Sequence, residues 1–177
     1  MIETLQALLA GGDDDALALG APERSPLSYA GLRSQLAKTR AQLRAAGIGP
    51  ADVVAIVLPN GPEMASSFLA VGACCTAAPL NPAYRQDEFA YYLEDLQAAA
   101  LIVLQGDETS APAAAMSLKI DVLEMHVGPK DPAGAFTLDA PSGEAAEAAA
   151  DPDAVALVLH TSGTTSRPKI VPLSQRN

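Results

Sequence analysis

One stretch of the chain reads His160-Thr-Ser-Gly-Thr-Thr-Ser-Arg-Pro-Lys169 and directly follows the apolar run 154–159, which is typical of a buried strand. Hydroxyl groups and backbone NH groups can donate to phosphate oxygens, glycine permits a close backbone approach, and lysine adds a positive charge. The stretch therefore predicts a loop that binds phosphate, with a nucleoside triphosphate as its natural ligand. The candidate binding residues are Thr161, Ser162, Gly163, Thr164, Thr165, Ser166 and Lys169.

Composition alone leaves a second interpretation open. A turn rich in serine and threonine is often a solvated loop, and a single lysine is often a solvated charge. The stretch also differs from the Gly-x-x-x-x-Gly-Lys-Ser/Thr loop, because it lacks the first glycine and has Pro168 in place of the second. If it binds phosphate, it does so as a loop of another kind.

The order of the residues favours the phosphate-binding interpretation over the solvated loop. Thr161-Ser-Gly-Thr-Thr-x-x-Pro-Lys169 resembles the phosphate-binding loop of the adenylate-forming superfamily, which contains acyl- and aryl-CoA synthetases, luciferases and peptide-synthetase adenylation domains. The resemblance implies an enzyme that makes an acyl-adenylate from ATP with Mg²⁺ and, in the CoA ligases, passes the acyl group to CoA.

Four further stretches resemble amino-terminal landmarks of that superfamily, in its usual order. They are 27–32 (Leu-Ser-Tyr-Ala-Gly-Leu), 47–56 (Gly-Ile-Gly-Pro-Ala-Asp-Val-Val-Ala-Ile), 59–63 (Pro-Asn-Gly-Pro-Glu) and 79–84 (Pro-Leu-Asn-Pro-Ala-Tyr). The resemblance thus covers residues 5–177. His160, Ser166 and Arg167 are similar to the branch that contains oxalate-CoA ligases, which implies a small carboxylate substrate such as oxalate.

The resemblance also implies which parts of such an enzyme to look for. The chain has 177 residues, and nothing in it matches the family's adenine- and metal-contacting stretch, its ribose-binding aspartate or the catalytic lysine of its mobile carboxy-terminal domain. We expect an incomplete amino-terminal domain, 1–177, that is inactive alone, has no assigned metal ligands and presents an edge that favours self-association.

Charge and hydropathy exclude several other classes of protein. The formal net charge is −10, from 11 Lys and Arg against 21 Asp and Glu, without a basic cluster for nucleic acid or an anionic membrane. The start has no positive n-region, and there is no apolar run of 18 residues, so a secretion signal or a membrane span is not expected. A cytoplasmic location follows by default. Cys74 and Cys75 are interpreted as two packed small hydrophobes.

Hydrophobic patterning predicts an α/β fold with a parallel sheet. Apolar runs at 53–58, 77–80 and 100–104 alternate with helical patterns, and a hairpin is expected near the amino terminus between 16–19 and 27–29. Ser28 should cap the following helix, and Asn60 should cap the next one. In parallel sheets ligands lie beyond the carboxyl ends of strands, where the loop at Thr161 should emerge.

One segment is expected to be irregular, and two residues near the loop have more than one possible role or geometry. Residues 131–153 hold six acidic side chains and no basic one, and predict a flexible acidic connector before a strand plus phosphate loop at 154–177. His160 either orients the loop by hydrogen bonding or contacts the ligand. Ile170 stands where many relatives in the superfamily have glycine, which leaves its backbone geometry open.

Two alternatives to the CoA ligase remain. One is an adenylating enzyme that loads a carrier protein. The other is a truncated, non-catalytic module that binds nucleotide weakly or associates with a full-length partner.

Overall fold

The computed structural model describes residues 3–141, 143, 151–161 and 168–177. In chain order the elements are α1 (Leu5–Ala10), β1 (Leu17–Leu19), β2 (Leu27–Ser28), α2 (Tyr29–Ala45), β3 (Val53–Val57), α3 (Pro62–Gly72), β4 (Thr76–Pro79), α4 (Gln86–Asp95), β5 (Ala100–Leu104), α5 (Ala111–Ser117), β6 (Asp121–His126), β7 (Thr137–Leu138), β8 (Val155–Thr161) and β9 (Lys169–Ser174).

The described residues form a seven-stranded sheet with the order β7-β6-β5-β3-β4-β8-β9 and a separate two-stranded sheet, β1-β2. Strands β6, β5, β3, β4 and β8 run parallel, while β7 and β9 pair antiparallel at the two edges. The α/β fold with its amino-terminal hairpin, predicted from the sequence, is confirmed.

The central strand β3 is covered on both faces, as its continuous apolar run predicts. Val54 and Ile56 belong to a core cluster that includes residues of α2 and α3. Ala55 and Val57 belong to a second cluster, on the side of α4 and α5. Alternate residues of a strand point to opposite faces, so one short run supplies both cores.

Helix α2 begins where the sequence predicts. Ser28 lies just before its first residue, and its hydroxyl accepts a hydrogen bond from the Gly31 NH at 3.2 Å. Leu32, Leu36 and Leu43 are buried along one side of the helix. The capping role of Ser28 is thereby confirmed.

The start of α3 differs from the prediction. Gly61, not Asn60, is the N-cap residue, no side chain caps the helix, and Pro62 occupies its first turn. Proline is favoured there because the first helical NH groups have no partner within the helix. The Asn60 cap was therefore wrong by one residue.

Residues 131–141, in the first half of the expected connector, hold β7 and bury Ala133, Phe136 and Leu138. The side-chain amide of Gln42 on α2 bonds both backbone groups of Leu138, donating to its carbonyl at 2.8 Å and accepting from its NH at 3.4 Å. Gln35 bonds Phe136 in the same way. The acidic composition of the expected connector favoured an irregular segment, so these spaced apolar residues were not predicted to be buried. Residues 144–150 lie outside the described residues.

Candidate functional site

The expected binding loop starts at the carboxyl edge of the parallel sheet. Strand β8 lies beside β4 in the same direction, with Ala77 opposite Leu157, and the Thr76 hydroxyl donates to the Val155 carbonyl at 2.9 Å. Because the carboxyl ends of parallel strands meet at one edge, Thr161, the last residue of β8, lies at the edge where such sheets bind ligands.

The two ends of the loop are held together by the β8–β9 ladder. Thr161 lies directly opposite Lys169, and His160 lies opposite Ile170. Both Thr161 and Lys169 are exposed to solvent. The candidate residues Ser162, Gly163, Thr164, Thr165 and Ser166 lie outside the described residues. The structure thus places the first and last members of the candidate set next to each other.

Ile170 has an extended geometry that suits its side chain. It lies in β9, where β-branched residues pack well, and is 42% exposed. A glycine is therefore not needed at this position to form the strand.

His160 contacts helix α4. Its Nε2 atom lies 3.2 Å from Oδ2 of Asp95, and its ring centroid lies 4.6 Å from that of Tyr92. The carboxylate can only accept, so in this contact Nε2 carries the proton. The side chain of His160 is 5% exposed. This contact joins the end of β8 to α4.

An aromatic cluster extends the contact of His160 along α4. The rings of Tyr92 and Tyr84 are stacked with centroids 4.8 Å apart, and Tyr84 meets Phe89 edge to face at 5.8 Å. Loss of hydration, followed by the hydrogen bond with Tyr84, raises the pKa of Tyr92 to about 12. The phenol is therefore neutral across the physiological range.

A cleft of about 460 Å³ opens at the carboxyl ends of β3 and β4. Asn60 and Asn81 contribute polar groups, and Met64 and Leu80 contribute apolar ones. Strand β4 lies between β3 and β8 in the sheet, so the cleft and Thr161 share one edge. This edge combines hydrogen-bonding groups with the positive charge of Lys169.

The sequence did not reveal Asp95 as a partner of His160. The spacing shows only that Asp95, three residues after Tyr92, shares its side of α4. The contact itself joins residues 65 positions apart, which periodicity within one helix cannot predict.

The described ranges contain no group of three or more His, Cys, Asp or Glu side chains that could hold a metal ion. Within the same ranges, no helix has the length and apolar character needed to cross a bilayer.

Comparisons with known proteins identify a family model and several relatives that match this chain. A family model described as AMP-binding enzyme matches residues 8–177. A probable CoA ligase from Humulus lupulus is 42% identical over 160 residues, which are 85% of this chain and 30% of that protein. An oxalate–CoA ligase from Arabidopsis thaliana is 40% identical over 168 residues, which are 92% of this chain and 33% of that protein.

Peptide synthases match as well. Tyrocidine synthase 3 from Brevibacillus parabrevis is 34% identical over 157 residues, which are 88% of this chain and 2% of that protein. This chain thus spans about a third of the length of the CoA ligases that it matches.

Solved structures agree with the fold. The apo crystal structure of MatB from Rhodopseudomonas palustris has a TM-score of 0.78 and 28% identity, and the match covers 99% of this chain and 35% of that one. The ATP-bound crystal structure of the same protein has a TM-score of 0.72 and 27% identity, with the same coverage.

Proposed function

This chain belongs to the AMP-binding enzyme family, and we propose that it is the amino-terminal part of an ATP-dependent acyl-CoA ligase. The observation that carries the proposal is the pairing of Thr161 with Lys169 at the carboxyl edge of the sheet, at the two ends of the hydroxyl-rich loop. The two CoA ligases among the relatives, at 40% identity or more, and the ATP-bound structural neighbour support it.

In the proposed reaction, a substrate carboxylate attacks the α-phosphate of ATP, which forms an acyl-adenylate and releases pyrophosphate. The thiol of CoA then attacks the acyl carbon and releases AMP. We assign Thr161, Ser162, Gly163, Thr164, Thr165 and Ser166 to hydrogen bonds with phosphate oxygens through hydroxyl and NH groups. Lys169 would compensate the charge that grows on the departing pyrophosphate.

We assign no metal-dependent step to this chain. Mg²⁺ would screen the phosphate charge of bound ATP, and its ligands are expected outside the described residues. Within the chain, His160 and Asp95 are positioning residues, because they hold the end of β8 against α4 and thereby fix the start of the loop.

A small acid such as oxalate is the proposed substrate, since the oxalate–CoA ligase of Arabidopsis thaliana is 40% identical over 92% of this chain. The match to tyrocidine synthase 3 supports the second candidate, an enzyme that adenylates its substrate and loads a carrier-protein thiol. The two candidates share the first half-reaction and differ in the thiol that accepts the acyl group.

The proposal is tested on the intact protein by carboxylate-dependent exchange of pyrophosphate into ATP, with oxalate, malonate, aromatic acids and amino acids as substrates. We expect one small carboxylate to stimulate exchange, and CoA then to convert the adenylate into a thioester. If adenylate forms but only a carrier-bound phosphopantetheine thiol accepts the acyl group, the carrier-loading candidate is correct. Absence of exchange with every acid tested would reject both.

We propose that residues 1–177 alone do not form acyl-adenylate, although weak nucleotide binding is allowed. Leu159 and Ile170 are 37% and 42% exposed on the terminal strand pair, so we also expect the isolated chain to self-associate there. Carboxylate-dependent exchange by the purified 177-residue chain above a no-enzyme control would contradict the first expectation.

A further inference from the structure

Two adjacent thiols lie at the amino end of strand β4, whereas the proposed phosphate loop follows the carboxyl end of β8. Cys74 and Cys75 connect the end of α3 to the start of β4, and their sulfur atoms are 3.9 Å apart. Cys75 is 4% exposed and belongs to the main core cluster, whereas Cys74 is partly exposed. The two side chains therefore have different access to small molecules.

Cys74 lines two cavities, of about 260 and 160 Å³, and Cys75 also lines the smaller one. Arg40 of α2 lines both with it, and Arg44, one turn later, lines the smaller one together with Asp151. Arg33 also lines the larger cavity, but its guanidinium is bound to the carbonyls of Leu9 and Gly12 and to Asp14.

Arg40 carries a donor that is not satisfied. The residue is 9% exposed, and its buried Nε–H has no hydrogen-bond acceptor among the described residues. A buried donor without a partner destabilises the fold. An oxygen atom that enters the shared cavity beside Cys74 would supply the missing acceptor.

The same surroundings determine which thiol ionises first. The hydrogen bond with Cys75 lowers the pKa of Cys74, and the guanidinium groups of Arg40 and Arg44 lower it further, while burial opposes them. The pKa of Cys75 is raised well above its ordinary value by the same hydrogen bond, by burial and by the charges of Cys74 and Asp52. We therefore assign the reactive thiolate to Cys74, which is the more accessible of the two.

We propose that Cys74 is a modification site, at which a small hydroperoxide oxidises the sulfur to a sulfenic acid inside the cavity shared with Arg40. The thiolate sulfur attacks the terminal peroxide oxygen, an S–O bond forms, and the O–O bond breaks. Cys74 loses two electrons, the peroxide gains them, and the departing hydroxide or alkoxide takes a proton from water. Arg40 Nε–H is the donor placed to bind an oxygen in this cavity.

The test treats the intact reduced protein with hydrogen peroxide in the presence of a dimedone-type reagent, which traps sulfenic acid. Both cysteines fall in the tryptic peptide 45–85, so fragment-ion mass spectrometry assigns the adduct to one of them. We expect the adduct on Cys74, and its loss in Cys74→Ser. In Arg40→Gln the rate of adduct formation should fall by roughly fivefold to tenfold, because the thiolate and the departing oxygen both lose a cation.

Lys38→Gln is the matched control, since it removes one positive charge from an exposed position of the same helix that lines neither cavity. It should react at the wild-type rate. Arg44→Gln serves as a second variant and should slow the reaction if Arg40→Gln does not fold, as judged by circular dichroism. An adduct mainly on Cys75, no adduct on either cysteine, or wild-type rates in the folded arginine variants would overturn the proposal.

Discussion

Thr161 and Lys169 face each other across the last cross-strand pair between β8 and β9. Opposite residues of an antiparallel pair have Cα atoms about 4.5–5.5 Å apart and side chains on the same face of the sheet. The hydroxyl at one end of the phosphate loop and the ammonium at the other are therefore neighbours. A ligand phosphate at this point would meet both groups at once.

Removal of the Thr161 hydroxyl tests its assignment to phosphate binding. Thr161→Val keeps a β-branched side chain and so should preserve β8. Loss of one neutral hydrogen bond is worth about 0.5–1.5 kcal/mol, so we expect the Kd of the intact protein for ATP to rise by about 2- to 12-fold. Isothermal titration calorimetry measures this change. Thr137→Val, the same substitution at an exposed position of β7, is the control, and equal Kd values for both variants would contradict the assignment.

The cap at Ser28 contributes to stability. In Ser28→Ala the Gly31 NH loses its acceptor, so the free energy of unfolding should fall by roughly 1 kcal/mol. Urea denaturation followed by circular dichroism measures the change. Ser34→Ala at an exposed position of the same helix should change stability by less than about 0.5 kcal/mol. Equal effects of the two variants would show that Ser28 does not act as a cap.

Substitution of two glycines with positive φ distinguishes the cost of backbone strain from the cost of side-chain crowding. Gly134 (φ 84°) and Gly106 (φ 73°) share a conformation that favours glycine. A Cβ at Gly106 would have no neighbour within 4 Å, whereas one at Gly134 would lie 2.8 Å from Leu19 Cδ1 and 3.1 Å from the Pro62 carbonyl oxygen.

Gly106→Ala should therefore cost roughly 1–2 kcal/mol of stability from strain alone. Gly134→Ala should cost about 1–3 kcal/mol more, because its neighbours must also move. Paired thermal and urea denaturation of the two variants gives the difference. An equal loss in both would mean that residues 131–141 do not pack against β1 and α3 as described.

Ionisation of Tyr92 tests the aromatic cluster beside His160. Its pKa is raised from 10.0 to about 12, so the folded protein favours the neutral phenol. The resulting stability is complete below pH 10 and is lost as the pH rises from 10 towards 12. Absorbance titration at the phenolate band should show a component near pH 12 that is absent from Tyr92→Phe and retained in Tyr29→Phe. If the component near pH 12 persists in Tyr92→Phe, the packing of Tyr92 in the cluster is contradicted.

Local sequence patterns predicted much of the fold. The alternating apolar runs located β3, β4 and β5, and Ser28 marked the start of α2, because these signals act over a few residues. The edge strands escaped prediction. Strand β7 has two residues and depends on the amides of Gln35 and Gln42, which contact residues 101 and 96 positions away.

In the candidate site, too, local patterns predicted some residues, and tertiary packing was needed for the others. The loop motif identified Thr161 and Lys169 by their spacing, and the ladder brings the two together. The partner of His160 required the packing of α4 against β8, which no local pattern contains. The role proposed for Arg40 likewise could not be predicted from the sequence, because it depends on the Cys74 thiol that lines the same cavities.

The central claim is that the loop between Thr161 and Lys169 binds the phosphates from which pyrophosphate departs. The most direct test is rapid-quench measurement of adenylate formation and, separately, of CoA attack on preformed adenylate, in the intact protein and in Lys169→Ala. Arg176→Ala is the control, because it removes a positive charge from an exposed ion pair with Asp153 just after β9.

A charged hydrogen bond is worth about 1.5–3 kcal/mol, so Lys169→Ala should slow adenylate formation by about 10- to 150-fold. Lys169→Arg should recover part of the rate, since a planar guanidinium does not replace a compact ammonium. The account predicts little change in the thioester step and none in Arg176→Ala. Adenylate formation at the wild-type rate in Lys169→Ala would contradict it and leave Lys169 as a solvated charge.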